Sequence, residues 1–114
     1  MKLEGEGKLV RVFVGESDTV HGKPLYQVIV ERVRAEGLAG ATVVRGIEGF
    51  GATSRLHTAR ILQLSTDLPV VIEIVDTDEQ IDRILPILDE MVGDGLVTLE
   101  KVHIITYRGS VPGG

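Results

Sequence analysis

The hydrophobic residues of this chain follow two kinds of pattern. In residues 8–15, 41–45, 70–75 and 97–107, apolar and β-branched residues dominate or alternate with polar ones, which predicts four strands. Elsewhere the apolar residues recur at helical spacing, and the two sets are Leu25, Val28, Ile29 and Val33, then Ile81, Ile84, Leu85, Leu88 and Val92. The predicted order is strand, helix, strand, strand, helix, strand.

Local signals mark the ends of the two helices. Pro24 suits the first turn of the first helix, and Gly37 predicts a left-handed cap at its end. Thr77 and Gln80 have the spacing of a capping box at the start of the second helix. Pro86 lies inside that helix, where it should remove one hydrogen bond and cause a kink.

This order predicts an α+β fold, the ferredoxin-like βαββαβ sandwich, with a four-stranded antiparallel sheet and two helices on one face. Two helices cover only one face of such a sheet. Yet the first strand is apolar on both faces, because Val10, Val12 and Val14 alternate with Leu9 and Phe13. We therefore predict a homo-oligomer that covers the open face.

Length and composition narrow the class of protein. The 114 residues predict one domain over 1–114, with 1–7 and 109–114 expected to be mobile. No cysteine is present, which excludes disulfides and cysteine-ligated zinc, and a net charge of −5 argues against nucleic-acid binding. The start of the chain does not resemble a signal peptide, and the apolar stretch 68–72 is too short for membrane insertion. A cytoplasmic location is expected.

Residues with catalytic potential are scattered along the chain. His21, His57 and His103 lie in three separate segments, without partners at metal-ligand spacing. Glu73 and Asp76 show no sign of a tuned acid–base pair, and solvated or capping carboxylates are favoured. We expect a protein that is not an enzyme, and these residues by themselves indicate no cofactor.

Two glycine-rich segments are the candidates for ligand contact. Residues 45–51, Arg-Gly-Ile-Glu-Gly-Phe-Gly, follow a strand, and their glycines are expected to supply positive φ and close backbone approach. Residues 93–95, Gly-Asp-Gly, precede the last strand. Neither segment is a Walker loop or a dinucleotide fingerprint. Each alone fits a simple turn as well as a binding loop.

A larger set of motifs extends from Leu9 to Arg108. Its members are Gly40-Ala41-Thr42-Val43, Gly49-Phe50-Gly51 with His57 downstream, Leu68-Pro69-Val70-Val71-Ile72-Glu73-Ile74-Val75, Asp78-Glu79-Gln80-Ile81-Asp82, Gly93-Asp94-Gly95 and Arg108-Gly109. In order and spacing this set resembles the PII signal-transduction superfamily. It is most similar to the uncharacterised PII-like branch known as domain of unknown function 190 (DUF190).

The resemblance implies a compact homotrimer of ferredoxin-like subunits with the sheets facing inward. It also implies an adenine nucleotide in clefts between subunits, where the loop after the second strand meets the turn before the last strand. Glycine amides there can form an anion-binding nest, and arginine can bind phosphate through a charged fork. The ligand-binding residues that the resemblance implies are Thr42, Gly49, Phe50, Gly51, Gly93, Asp94, Gly95 and Arg108.

The chain departs from the PII pattern around the phosphates. Leu96 stands where PII proteins have a lysine after the Gly-Asp-Gly turn, and the arginine pair of the last strand is reduced to Arg108. Arg45 and Arg55 are candidates to supply the missing cationic contacts. Lys101, or Arg60 of a neighbouring copy, are the alternatives.

Three functions stay open at this point. The first is a trimeric regulatory sensor of an adenine nucleotide or small anion, acting on a regulated protein or a membrane transporter. The second is a divalent-metal-binding trimer resembling cation-tolerance proteins, with His57 and His103 and either Glu48 or Asp94 as ligands. The third is a purely structural oligomer.

Overall fold

The computed structural model describes residues 2–49, 57–58 and 68–109, with backbone only at residues 2, 57 and 58. Eight strands and two helices are assigned there. In chain order they are β1 (Lys2–Gly15), β2 (Thr19–Val20), β3 (Lys23–Pro24), α1 (Leu25–Ala35), β4 (Thr42–Arg45), β5 (Glu48–Gly49), β6 (His57–Thr58), β7 (Pro69–Thr77), α2 (Asp78–Met91) and β8 (Leu96–Arg108).

The main sheet has four antiparallel strands in the order β4-β7-β1-β8. With α1 and α2 packed on one face, this is the predicted ferredoxin-like α+β fold, which is thus confirmed. Two short ladders were not predicted: β2 pairs with β3, and β5 pairs with β6. In the second ladder, Glu48 and Gly49, which follow β4, pair with Thr58 and His57.

The core lies between the sheet and the helices. Burial alternates along the part of the two central strands where they pair, so that Val10, Val12 and Val14 of β1 lie on one side, as predicted, and the structure shows that this side faces the helices. The helices contribute one face each, and these buried residues are Leu25, Ile29 and Val33 of α1 and Ile81, Ile84 and Leu88 of α2. The opposite face of the sheet receives no helix from the part of the chain that the structure describes.

The helix ends follow the sequence signals with one difference. Gly37 has φ of 85° beyond the end of α1, and the Thr77 hydroxyl accepts a hydrogen bond from the Gln80 amide at 3.3 Å. The reciprocal half of the capping box is not formed, because the Thr77 amide donates to Asp76 Oδ1 at 2.7 Å, and the Gln80 side-chain amide donates to the Gly37 carbonyl at 3.3 Å. Helix α2 continues through Pro86. Hydrogen bonds from Arg32 and Arg83 join the helices at Glu36 and lower the pKa of its carboxyl.

The beginning of the chain differs from the prediction. Strand β1 begins at Lys2, and residues 2–7 pair with β8, although 1–7 were expected to be mobile. We call the two-stranded part that extends beyond β7, residues 2–6 with 103–108, the end ribbon. The register shifts between Leu3 and Gly5, because these two residues pair with Tyr107 and Ile104, which leaves one extra residue on β8 as in a β-bulge; Gly5 on the facing strand has φ of 96°. Residues 110–114 lie outside the described residues.

Asp76 is a buried carboxylate, 2% exposed, at the end of β7. Its Oδ2 accepts a hydrogen bond from the Ala39 amide and its Oδ1 accepts one from the Thr77 amide, both at 2.7 Å. Of the two roles expected for it, solvated or capping, burial excludes the solvated one, and its carboxylate binds two backbone amides while Thr77 caps α2. Asp76 holds the segment after α1 against the sheet.

Candidate functional site

The open face of the sheet carries one complete apolar row. Its four residues lie directly opposite one another on adjacent strands, and we define the apolar row as Val44, Val71, Phe13 and Leu96. In the single chain, Val44 is 48% exposed and Leu96 is 55% exposed. Contiguous exposed apolar surface is a common feature of interaction sites.

The next row along the strands is polar. We define the polar row as Thr42, Glu73, Arg11 and Thr98, again one residue from each strand. Arg11 Nε donates to Glu73 Oε2 at 2.9 Å, and Arg11 Nη1 donates to Glu100 Oε1 at 2.5 Å. These hydrogen bonds, to Glu73 first and Glu100 second, raise the pKa of the Arg11 guanidinium. One cation is therefore shared by two carboxylates.

A concavity of about 510 Å³ lies over the β4 side of the polar row. This volume falls in the usual range for small-molecule sites, and its walls combine aliphatic carbons with a few polar groups. The lining residues are Leu9, Arg11, Ala39, Gly40, Ala41, Thr42, Glu73, Val75 and Tyr107. We call it the open-face pocket.

The end ribbon supplies one wall of the open-face pocket. Tyr107, which pairs with Leu3 in the ribbon, lines the pocket, and its hydroxyl donates to the Ala39 carbonyl at 3.1 Å. The amide of the same Ala39 donates to Asp76. The peptide groups on both sides of Ala39 are thus held, one from the ribbon and one from β7.

The structure places the predicted β4 residues on opposite faces. Thr42 lies on the open face and lines the pocket. Arg45 lies opposite Val70, on the helix side, and its Nε is 2.6 Å from Glu16 Oε2. Within one chain Arg45 does not reach the pocket, and its role as a ligand contact stays a prediction.

The glycines after β4 are needed for close approach rather than for positive φ. A Cβ at Gly46 or Gly49 would lie 2.7 or 3.0 Å from Pro69 Cγ, and the Gly46 amide donates to the Pro69 carbonyl at 2.7 Å. Neither of these two has a positive φ, so that part of the prediction is wrong for them. Phe50, Gly51 and Arg55 lie outside the described residues.

The turn 93–95 lies at the other edge of the sheet. Strands β4 and β8 are the two edge strands, separated by three strand spacings, or about 14 Å. Arg108 is at the far end of β8, about 40 Å along the strand from Gly95. One chain alone therefore brings together neither the two glycine segments nor the turn and Arg108.

The two glycines of this turn should respond differently to alanine. A Cβ at Gly95 would lie 2.6 Å from the Phe13 carbonyl oxygen, a backbone atom, whereas a Cβ at Gly93 meets nothing within 4 Å. We expect Gly95→Ala to cost about 1–3 kcal/mol of unfolding free energy and Gly93→Ala to change it by less than about 0.5 kcal/mol. Urea unfolding measures both, and equal losses would contradict the steric explanation.

Two of the proposed metal ligands, His103 and Asp94, lie far apart in one chain, whereas the β5–β6 pairing places the backbone of His57 opposite Gly49, next to Glu48. His103 Nδ1 lies 3.3 Å from Glu6 Oε1, and Asp94 lies nine residues away near the start of β8, or about 30 Å along the strand. The described residues contain no group of three potential metal ligands. No helix in the described ranges is long and apolar enough to cross a membrane.

Sequence reasoning missed most of the pocket. Arg11 was not considered, and Glu73 was interpreted as an ordinary carboxylate. A signal was available, because each residue interrupts an apolar strand on the face that no helix covers, and the two strands are neighbours. Tyr107 had no comparable signal, since its face depends on the register shift between the pairs Gly5–Ile104 and Leu3–Tyr107, which the sequence pattern does not show.

Two solved structures have a similar fold. A structure named as a PII-like signaling protein from Thermus thermophilus superposes with a TM-score of 0.65 at 22% identity, covering 89% of this chain and 91% of that chain. CPII from Thiomonas intermedia K12, bound to ADP and bicarbonate, gives a TM-score of 0.57 at 14% identity, covering 87% and 88%. These two similarities show that the chain has the fold of PII-like proteins.

Sequence comparison gives the family. The model of DUF190, described as "Uncharacterized ACR, COG1993", matches residues 7–104. A UPF0166 protein of Aquifex aeolicus is 44% identical over 100 residues, covering 86% of this chain and 92% of its own, and one of Methanocaldococcus jannaschii is 36% identical over 105 residues, covering 91% and 94%. The predicted resemblance is confirmed, and the chain belongs to the DUF190 family with a PII-like fold.

Proposed function

We propose that this protein is a non-enzymatic PII-like sensor, a homotrimer that binds an adenine nucleotide in the clefts between its subunits and signals to a regulated protein. The observation that carries the proposal is the open-face pocket, which lies on the same uncovered sheet face as the apolar row. A ligand in this pocket would touch both its own subunit and the neighbouring copy.

The uncovered apolar row supports assembly through the open face. Covering Val44, Val71, Phe13 and Leu96 with the same row of other copies removes apolar surface from water, which favours association. The positions of the expected ligand-binding residues also favour assembly. Thr42 and the turn 93–95 are at opposite edges of one sheet, so a single ligand reaches both only where the β4 edge of one copy meets the β8 edge of the next. Head-to-tail contacts of this kind form a ring if the rotation between copies closes, and the proposed ring has three copies.

The open-face pocket fits the nucleoside part of the ligand. Leu9, Val75 and Ala41 offer apolar contact to a flat base, while the Thr42 hydroxyl and the Glu73 carboxylate can bind ribose hydroxyls or an exocyclic amine. Because Arg11 is shared by two carboxylates, the pocket has no spare positive charge for phosphates among its described lining residues. The phosphates would therefore extend out of the pocket, towards the turn 93–95 of the neighbouring copy.

ADP is the first ligand to test, because the structurally similar CPII protein was solved with ADP and bicarbonate. Ile47 follows the end of β4 and is 77% exposed. It is a candidate contact for a partner that distinguishes the ligand-bound protein from the ligand-free protein.

Titration calorimetry with ATP, ADP, AMP and cyclic AMP tests this proposal. We expect saturable binding of at least one of them, and Thr42→Val should weaken it about tenfold through the loss of one hydrogen bond. Thr98→Val is the matched control, since Thr98 belongs to the polar row but does not line the pocket. Absence of heat with all four nucleotides, together with an unchanged melting temperature, would contradict the proposed function.

A further inference from the structure

Tyr107 is the one aromatic side chain among the described residues that line the open-face pocket. It lies near the end of β8, where it pairs with Leu3 in the end ribbon, and it is half-buried. The other described lining residues are aliphatic, small or polar. The pocket therefore has an aromatic wall on the side of the end ribbon.

Contacts on both the hydroxyl and the ring hold Tyr107 in place. Its hydroxyl donates to the Ala39 carbonyl at 3.1 Å, and the Ala39 amide donates to the buried Asp76 carboxylate at 2.7 Å. Gly109 lies against the hydroxyl end of the ring, since a Cβ added there would be 3.1 Å from the hydroxyl oxygen and 3.5 Å from Cζ. A ring that is already fixed loses little conformational entropy when a ligand packs against it.

The floor of the pocket is apolar. Leu9 and Val75 lie directly opposite one another on adjacent central strands, and both line the pocket. Val75 is 39% exposed in the single chain, and Ala41 adds a third apolar surface. Aliphatic carbons and an aromatic ring suit the flat faces of a nucleobase, and neither offers positive charge to a phosphate.

We propose that Tyr107 is the specificity-determining residue that selects a flat aromatic base for the open-face pocket, by packing against that base, and that Ala39 and Asp76 position its ring. The inference rests on the proposed function, because it assigns the part of the nucleotide that enters the pocket. Packing against an aromatic ring favours any base, since every base has a π face. Polar groups such as the Thr42 hydroxyl then distinguish one base from another.

Two substitutions of Tyr107 separate its ring from its hydroxyl. Tyr107→Leu removes the aromatic ring, so the dissociation constant for ADP should rise about tenfold or more. Tyr107→Phe keeps the ring and loses only the hydrogen bond to Ala39, so the rise should be about two- to fivefold. Tyr26→Phe is the matched control, because it removes the hydroxyl of a tyrosine on α1 that does not line the pocket, and it should bind ADP like wild type. Far-ultraviolet circular dichroism checks that the variants are folded.

Tyrosine fluorescence gives a readout that a purely structural role of Tyr107 would not change. The chain has two tyrosines and no tryptophan, so Tyr107 is the only source of this emission in the Tyr26→Phe protein. A base that packs against the ring should quench this emission, with the same midpoint as the calorimetric titration. The Tyr107→Phe protein, in which Tyr26 alone emits, corrects for absorption of the excitation light by ADP.

The outcomes distinguish this inference from the proposed function. It is supported if ADP quenches the Tyr107 emission and Tyr107→Leu binds ADP about tenfold more weakly or worse. It is overturned, while the proposed function stands, if ADP binds saturably but leaves the Tyr107 emission unchanged, or if Tyr107→Leu binds ADP as tightly as wild type. The fluorescence test needs only the Tyr26→Phe and Tyr107→Phe proteins, so it decides the question even if Tyr107→Leu does not fold. A wild type that binds none of the four nucleotides would overturn the proposed function and this inference with it.

Discussion

Replacing Val71 by aspartate should split the proposed assembly into folded single subunits of 12.3 kDa. Val71 lies in the apolar row between Phe13 and Val44 on central strand β7. A copy that covers this position would bury an unpaired carboxylate, which costs several kcal/mol per subunit. The subunit itself should stay folded, because the side chain points away from the core, and the poor strand propensity of aspartate costs only about 1 kcal/mol.

Sedimentation velocity and far-ultraviolet circular dichroism measure these two effects together. The control is Gln27→Asp, which introduces the same charge on an exposed position of α1 and should leave the assembly intact. Loss of nucleotide binding should accompany dissociation of Val71→Asp, since the ligand contacts two copies in the proposed cleft. An assembly of unchanged mass in the Val71→Asp protein would show that the open face is not the contact surface.

Ile72→Ala, one residue further along β7, should destabilise each subunit instead. Ile72 is fully buried in the core between the sheet and the helices. Removing its outer carbons leaves a cavity, and such substitutions cost about 2–5 kcal/mol of unfolding free energy. For a domain of this size that corresponds to a melting temperature lower by roughly 10 °C or more.

The comparison for Ile72→Ala is Val43→Ala. Val43 lies directly opposite Ile72 on the same face, but it is on edge strand β4 and is 39% exposed. We expect a much smaller loss of melting temperature, because a half-exposed side chain leaves a gap that water or neighbours can fill. The two proteins must be compared at equal concentration, since assembly also contributes to melting. Similar losses in both would contradict the position of the core.

The fold was predictable because its signals are local. Alternation along residues 8–15 and 70–75 indicated the faces of β1 and β7, and helical spacing indicated the buried faces of α1 and α2. The end ribbon was not predictable in the same way. Residues 2–7 are polar and glycine-rich, and they form a strand because β8 is long enough to pair with them. That pairing is a property of tertiary structure, not of local propensity.

The open-face pocket was harder to predict, because its residues are far apart in the sequence. Leu9, Thr42, Glu73 and Tyr107 come from four strands, and only the strand order and register bring them together. Thr42 was identified through the PII resemblance, which carries such long-range information. For the glycines after β4, the predicted close backbone approach is correct, because Gly46 and Gly49 lie against Pro69.

The PII pattern and this chain differ most where phosphate would bind. Leu96 stands where the PII pattern has the lysine after the turn and belongs to the apolar row, so in the proposed assembly this position would supply apolar contact instead of charge. Arg108 lies at the far end of β8, next to Tyr107 of the pocket wall. These positions predict a weaker preference for triphosphate over diphosphate than a lysine-containing turn would give, because fewer cations face the terminal phosphate.

Native mass spectrometry of the wild-type protein in the presence of ADP tests the central claim most directly, because one spectrum reports both the number of copies and the bound nucleotide. The proposed cleft predicts a single species of three copies, each chain 12.3 kDa, with ADP bound in proportion to the copies. A free 12.3 kDa chain without ADP would contradict both the covered open face and the nucleotide site.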